Sequence, residues 1–258
     1  MKNKIFGICN LCKKEKELVE SHIIPDFFYY EMKKGNENIP FLSVNYEIGK
    51  LKEGITKKSQ KGDTDKNILC ANCDNVLIGE KLEKYAKNFL FGSKYPTNEN
   101  LEFKNLINPK NGSTYFVCKN YDYTKFKNFL LSILWRASVS SNTLFKNVNL
   151  GEKHNENLRN RILNNVETDF LSYPIILNSF YETRNNMKNV ILQPQKEKLI
   201  GGINVYIMIL YGLQITYLIN SENHKIPEKF YNYIISKEEL IISHYNNVEA
   251  INLLKNFI

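Results

Sequence analysis

Apolar positions along this 258-residue chain change their period twice. The first sustained helical spacing lies over residues 73–90. There Ile78, Leu82, Tyr85, Ala86 and Phe89 recur at three- and four-residue steps and predict an amphipathic helix. A second stretch, 123–140, carries Phe126, Phe129, Leu130, Ile133, Leu134 and Ala137 as one stripe, with Asp122 placed to cap its start. A third, 152–164, sets Leu158, Ile162 and Leu163 to one side. From residue 189 the period shortens: β-branched runs at 189–194, 203–210 and 213–219, separated by Gly201-Gly202 and Tyr211-Gly212, predict a meander of strands covered on both faces. Residues 114–118 predict a buried strand holding Cys118 as a core thiol, and 41–46 a short one. Residues 227–236 and 248–258 read as closing segments, the latter a short helix.

The pattern predicts an α+β fold with a helical middle and a C-terminal β-meander. A turn-rich boundary at residues 92–97 suggests domains over 1–92 and 93–258. The longest apolar run, 205–210, is too short to span a bilayer, and residues 1–6 lead into Gly7 rather than an apolar signal core. A cytoplasmic protein without membrane association is expected.

At 43% hydrophobic the chain can bury a core, and its charge balance of 35 − 27 = +8 suits a polyanionic partner. That inference is discounted because only four of the basic residues are arginines. The candidate phosphate contacts are Lys57, Lys58 and Lys61 in the long segment 33–66, and Arg136, Arg159 and Arg161 on the second and third helices. Each has a plainer reading. The lysines suit a solvated loop, Arg136 the rim of a core built on Trp135, and Arg159 and Arg161 a solvated helix face.

Chemistry is concentrated in two Cys-x-x-Cys pairs, Cys9/Cys12 and Cys70/Cys73, with Ser21-His22-Ile23-Ile24-Pro25 between them. Two paired thiolates satisfy the tetrahedral preference of Zn²⁺ and leave no exchangeable position, so such a zinc is structural. Five cysteines in all, an odd number, fit reduced thiols better than a disulfide scaffold. A knuckle followed by a Cys-x-x-Cys that opens a helix is the order of a treble clef. In an α-helix Glu80 would return to the face of Cys73 after two turns, and Asp74 sits where the helix dipole favours a carboxylate.

These residues resemble the zinc-stapled HNH endonucleases, with a ββα-metal core in a treble clef, over roughly the first third of the chain. The resemblance implies His22 as the general base and Asp74 as a ligand of a catalytic Mg²⁺ or Mn²⁺, with Glu80 nearby and Cys9, Cys12, Cys70 and Cys73 on structural zinc. Ser21 stands where that family carries its first acid, leaving Glu20 or Asp26 to supply one. Asp65 stands where it carries an asparagine that orients the histidine. The function implied is cleavage of DNA phosphodiesters, with RNA an open alternative. A looser likeness to bacterial proteins encoded near phage-defence genes implies a role against foreign DNA. The alternatives are a non-catalytic zinc module that binds nucleic acid, or a protein that engages a partner through its C-terminal domain.

Overall fold

The fold is that of a computed structural model. It describes residues 4–33, 41–43, 46–47, 50–51, 55–57, 62–92, 100–183, 187–188, 190–198, 203–220, 225–246 and 249. The chain forms two compact units: Met1–Glu31, Ser59–Asn98 and Asp122–Thr168 make the first, and Met32–Lys58, Glu99–Tyr121 and Asp169–Ile258 the second. The helices of residues 122–168 thus group with the cysteine-bearing segments. The expected turn at 201–202 and most of the expected C-terminal helix lie outside the described residues, as do Lys58 and Lys61.

In the first unit β1 (Ile5–Ile8) and β2 (Glu15–His22) form an antiparallel hairpin, and β7 (Thr64–Cys70) pairs with the other edge of β2. The β2–β7 register slips between Val19 and Ser21, where the partners jump from Leu69 to Asp65. Three residues of β7 therefore oppose one of β2, a bulge that re-aims the side chains beyond it. The Asp65 carboxylate accepts the Asn67 amide at 2.8 Å and closes that turn. Between β2 and β7 come α1 (Asp26–Lys33) and four short strands of the second unit, β3 (Phe41–Ser43), β4 (Tyr46–Glu47), β5 (Lys50–Leu51) and β6 (Ile55–Lys57), with β3 on β6 and β4 on β5. At the return into β7, Gly62 has φ +73°, and a Cβ there would meet the Tyr29 ring at 2.7 Å. The same ring donates its hydroxyl to Asp63 at 2.9 Å.

The helix expected over 73–90 forms, but its first half is wider than an α-helix. Asn72–Glu83 is a π-helical segment, closed at its end by the Lys84 amide on the Gly79 carbonyl, and it runs on into α2 (Lys84–Phe91). Burial follows the wider turn: Cys73, Ile78 and Leu82 face inward at steps of five and four, then Ala86 and Phe89 at steps of four and three.

The next helix, α3 (Tyr123–Val139), has Asp122 accepting the Lys125 amide at 2.8 Å as its cap. The whole expected stripe is buried, and so are Lys127, Asn128, Ser132 and Arg136 on the other faces. A helix enclosed on every side is the centre of a unit, not its wall. Around it, Phe126 packs tilted against Phe89 at 4.8 Å and Phe129 stacks on Phe27 at 6.0 Å. Helix α4 (Gly151–Asn164) buries Leu158 and Ile162 and ends on Asn165 in the left-handed region.

Besides those four short strands, the second unit holds a seven-stranded sheet of β8 (Glu102–Ile107), β9 (Thr114–Lys119), β10 (Ile175–Ser179), β11 (Ile191–Lys198), β12 (Asn204–Leu210), β13 (Leu213–Ile219) and β14 (Leu240–His244). They lie in the order β11-β12-β13-β10-β14-β9-β8. The expected meander is its β11-β12-β13 portion, with Tyr211 and Gly212 both at positive φ in the tight turn. The sheet extends beyond it, because β14 inserts between β10 and β9 and runs parallel to β10. Cys118 is fully buried in β9. Among the described residues no helix is long and apolar enough to cross a membrane.

Candidate functional site

The two cysteine pairs converge. The Sγ atoms of Cys9, Cys12, Cys70 and Cys73 all lie within 4.8 Å of one another. A tetrahedron of thiolates around Zn²⁺ at about 2.3 Å sets its sulfurs roughly 3.8 Å apart, so this donor set fits a metal ion and is compatible with structural zinc. Local backbone builds it. After β1 the chain turns tightly, with the Lys13 amide on the Cys9 carbonyl at 2.8 Å and Lys13 itself at φ +57°. The Asn10 amide then bonds the Ile68 carbonyl at 2.9 Å, which docks the knuckle on β7, whose last residue is Cys70. The Cys70 amide points at the Cys9 sulfur at 3.4 Å. The Cys73 thiol donates to Cys9, and the amides of Cys12, Cys70 and Leu11 add to it, so Cys9 is held far below the usual thiol range despite burial. Cys73 is pushed up for the same reason.

Beside this cluster lies a second group of polar side chains. His22 ends β2, one-third exposed, with its Nε2 3.5 Å from Oδ1 of Asp26, the first residue of α1. Asp74 directly follows the last cysteine. Burial pushes its carboxyl up, the Arg136 guanidinium, the Ser21 hydroxyl and His22 pull it down, and Glu83 pushes it up again; the net shift is upward. Arg136 is the hub. At 1% exposure it donates from Nη1 to the His22 carbonyl at 2.6 Å and from Nε to Ser132 at 3.3 Å, and pairs Nη2 with Glu83 at 2.8 Å.

Several expectations change here. Arg136 is not a surface contact for phosphate, because its guanidinium is buried inside the unit against the His22 and Ser132 carbonyls and the Glu83 carboxylate. Glu80 is exposed, and Glu83 completes the group around Asp74 instead. The π-helical turn is the reason: with closure over five residues rather than four, positions nine apart come back to one face after two turns, not positions seven apart. Asp65 does not serve as an orienting group for the imidazole. It directs its carboxylate to Ser140 Oγ at 2.8 Å, the Ser141 amide at 2.7 Å and Ser141 Oγ at 2.9 Å, and so straps the end of α3 to β7. Glu20 turns away to accept from Thr64 at 3.0 Å, whereas Asp26 does approach His22.

Of the remaining candidates, Arg159 is engaged by Glu156 at 2.6 Å and by the Leu11 carbonyl at 2.6 Å, which leaves it bracing the knuckle. Arg161 lies half-buried on α4, and Lys57 is described only by its place at the end of β6. Nothing in the composition marks Glu83 in the sequence, and the one spacing signal is the five-then-four step of Cys73, Ile78 and Leu82.

Compared with protein-family models, curated proteins and solved structures, the chain matches none of them.

Proposed function

We propose that the chain is a metal-dependent endonuclease that cleaves DNA phosphodiesters, built on a zinc-stapled treble clef of HNH type and acting against foreign DNA. The observation that carries this reading is the adjacency of His22 and Asp74 to the four-cysteine cluster. They sit at the end of one strand and the start of the helix in a strand–strand–helix unit. Zinc on Cys9, Cys12, Cys70 and Cys73 braces that unit and takes no part in the chemistry.

In this reading the His22 imidazole accepts a proton from the attacking water. Asp26, 3.5 Å from its Nε2, steadies the charge that develops. Asp74, with Glu83 beside it, would hold a Mg²⁺ or Mn²⁺ ion, and such an ion would neutralise charge on the leaving oxygen. Arg136 keeps Glu83 and the His22 backbone fixed while leaving the imidazole accessible. The test is cleavage of plasmid and single-stranded DNA by wild type and His22→Ala with Mg²⁺, Mn²⁺ or neither, with zinc measured on both. The reading stands if both hold one zinc and only wild type cuts. It fails if wild type cuts under none of these conditions.

A second reading, a zinc module that binds nucleic acid without cutting it, draws on Ser21, which is fully buried at the position of the first acid. It expects metal-independent binding with a steep salt dependence. A partner-binding role draws instead on the exposed apolar side chains Phe103 and Ile107 of edge strand β8.

A further inference from the structure

We propose that a cavity between α3, α4 and the cysteine knuckle is a pocket for one nucleobase bearing an exocyclic amino group, presented on a nucleotide or a single-stranded end. The inference rests on the nucleic-acid reading above and names a ligand class within it. The cavity, about 280 Å³, is lined by Lys13, Trp135, Val139, Glu152, Asn155, Glu156 and Arg159.

Glu152, Asn155, Glu156 and Arg159 are spaced 0, 3, 4 and 7 along α4 and share one helix face. Glu152, Glu156 and Lys13 stand exposed at the rim, Asn155 and Arg159 are half-buried, and the buried Trp135 with the half-buried Val139, one turn apart on α3, supplies the apolar part of the lining. An apolar floor with a few convergent polar groups is the general composition of a ligand pocket. Its volume falls at the small end of such sites, roughly 300 Å³ and upward, which suits a single base and excludes a base pair.

The hydrogen bonds already made decide what remains for a ligand. Arg159 and Glu156 satisfy each other through Nε–Oε2 at 2.7 Å and Nη2–Oε1 at 2.6 Å, and Arg159 also holds Leu11. Ser138 has one proton for two neighbours, the Trp135 carbonyl at 2.9 Å and the Asn155 amide at 2.5 Å, so one end of that amide is taken and the other stays open to a ligand. Two charged groups complete the set: the Glu152 carboxylate, an acceptor only, and the Lys13 ammonium, a donor only. Lys13 is fixed on the knuckle in a left-handed conformation that non-glycine residues seldom adopt.

A carboxylate facing a flat ring selects for an amino group. It accepts from the exocyclic N–H of adenine, cytosine or guanine, whereas uracil and thymine carry no such group. The Lys13 ammonium complements a ring nitrogen, a carbonyl or a phosphate.

Trp135 is the chain's only tryptophan, so its emission reports occupancy of this cavity without reference to cleavage. Full-length, zinc-loaded protein would be titrated with AMP, CMP, GMP and UMP. The expected result is a saturable emission change with one or more of the amino-bearing nucleotides, and at least about tenfold weaker binding of UMP, the effect of one lost hydrogen bond to a charged group. Glu152→Gln should narrow the gap between UMP and the others, and Lys13→Ala should weaken all of them, with zinc content unchanged in both. An unchanged emission with every nucleotide overturns the proposal, as does equal binding of UMP, or Glu152→Gln and Lys13→Ala variants that bind like wild type. A response to free amino acids but to no nucleotide also overturns it. Protein that binds nucleotide but cuts no DNA refutes the nuclease reading and leaves the pocket standing. Protein that cuts DNA with no emission response does the reverse.

Discussion

The Arg136 guanidinium donates to the main-chain carbonyl of His22 across 2.6 Å, and its other terminal nitrogen carries Glu83 at 2.8 Å. One buried cation therefore joins the end of β2, the end of the π-helical segment and the last turn of α3. Removing it strands a half-buried carboxylate and an unpaired carbonyl. Arg136→Met is expected to cost about 3 kcal/mol in urea denaturation, and Arg136→Lys less, because lysine restores the charge but not the planar fork. A midpoint in Arg136→Met equal to that of wild type would rule out this tie.

Zinc content should be close to one ion per chain. Cys70→Ser, or a strong chelator, should remove it together with much of the helical circular dichroism of the first unit, because metal-binding energy at such sites is folding energy. Retained helicity in a zinc-free protein would mean that the cluster is not what holds the knuckle to β7.

Gly62→Ala combines two penalties, a positive φ and a Cβ 2.7 Å from the Tyr29 ring. A loss of about 2 kcal/mol is expected from backbone strain and overpacking together, read as a lowered thermal midpoint. Tyr29 cannot swing aside cheaply, because its hydroxyl is fixed by both the carboxylate and the amide of Asp63. A melting curve superposing on wild type would show that this return into β7 is looser than described.

Asp65 gives a pH signature. Burial alone would raise its carboxyl, but the Asn67 amide, the hydroxyls of Ser140 and Ser141 and the Ser141 amide overrule it, and the net shift is downward. A carboxyl more acidic in the folded state stabilises the fold above its unfolded pKa, and that contribution is lost as pH falls through the folded value. Asp65→Asn is expected to cost about 2 kcal/mol at pH 7, the range for hydrogen bonds to a charged group, and to lose less stability than wild type on acidification below about pH 4. Parallel stability curves for the two proteins between pH 7 and pH 2.5 would exclude the strap.

What the sequence made legible, and what it hid, follows from which forces act locally. The cysteine pairs announced their cluster because thiolate coordination depends on residue type and short spacing. Helices α3 and α4 announced themselves through apolar period and, for α3, the Asp122 cap. Strand β8 did not, since every residue in it is exposed and no face needs an apolar repeat. Strand β14 did not, because it is specified by parallel pairing with β10, more than sixty residues earlier. Arg136 read as a surface cation because charge suggests solvent. Burial of α3 on all sides is a tertiary fact, and the partners that make it tolerable, Glu83 and the His22 carbonyl, lie 53 and 114 residues away in the chain. The π-helical segment was hidden because its apolar residues fit a four-residue step almost as well as a five-residue one.

The cysteine pairs lie 61 residues apart, and closing the chain between them is an entropic matter. For a flexible loop that cost grows only logarithmically, about 0.6 kcal/mol for each doubling of length. Zinc in four-cysteine sites supplies on the order of 10 kcal/mol. The knuckle can therefore tolerate wide variation in the length of the intervening chain, as long as Ser21–His22 and Gly62–Asp65 still meet across β2 and β7. The interval from α1 to Gly62 is thus the stretch where natural variants of this chain can lengthen, shorten or be rewritten without dissolving the first unit.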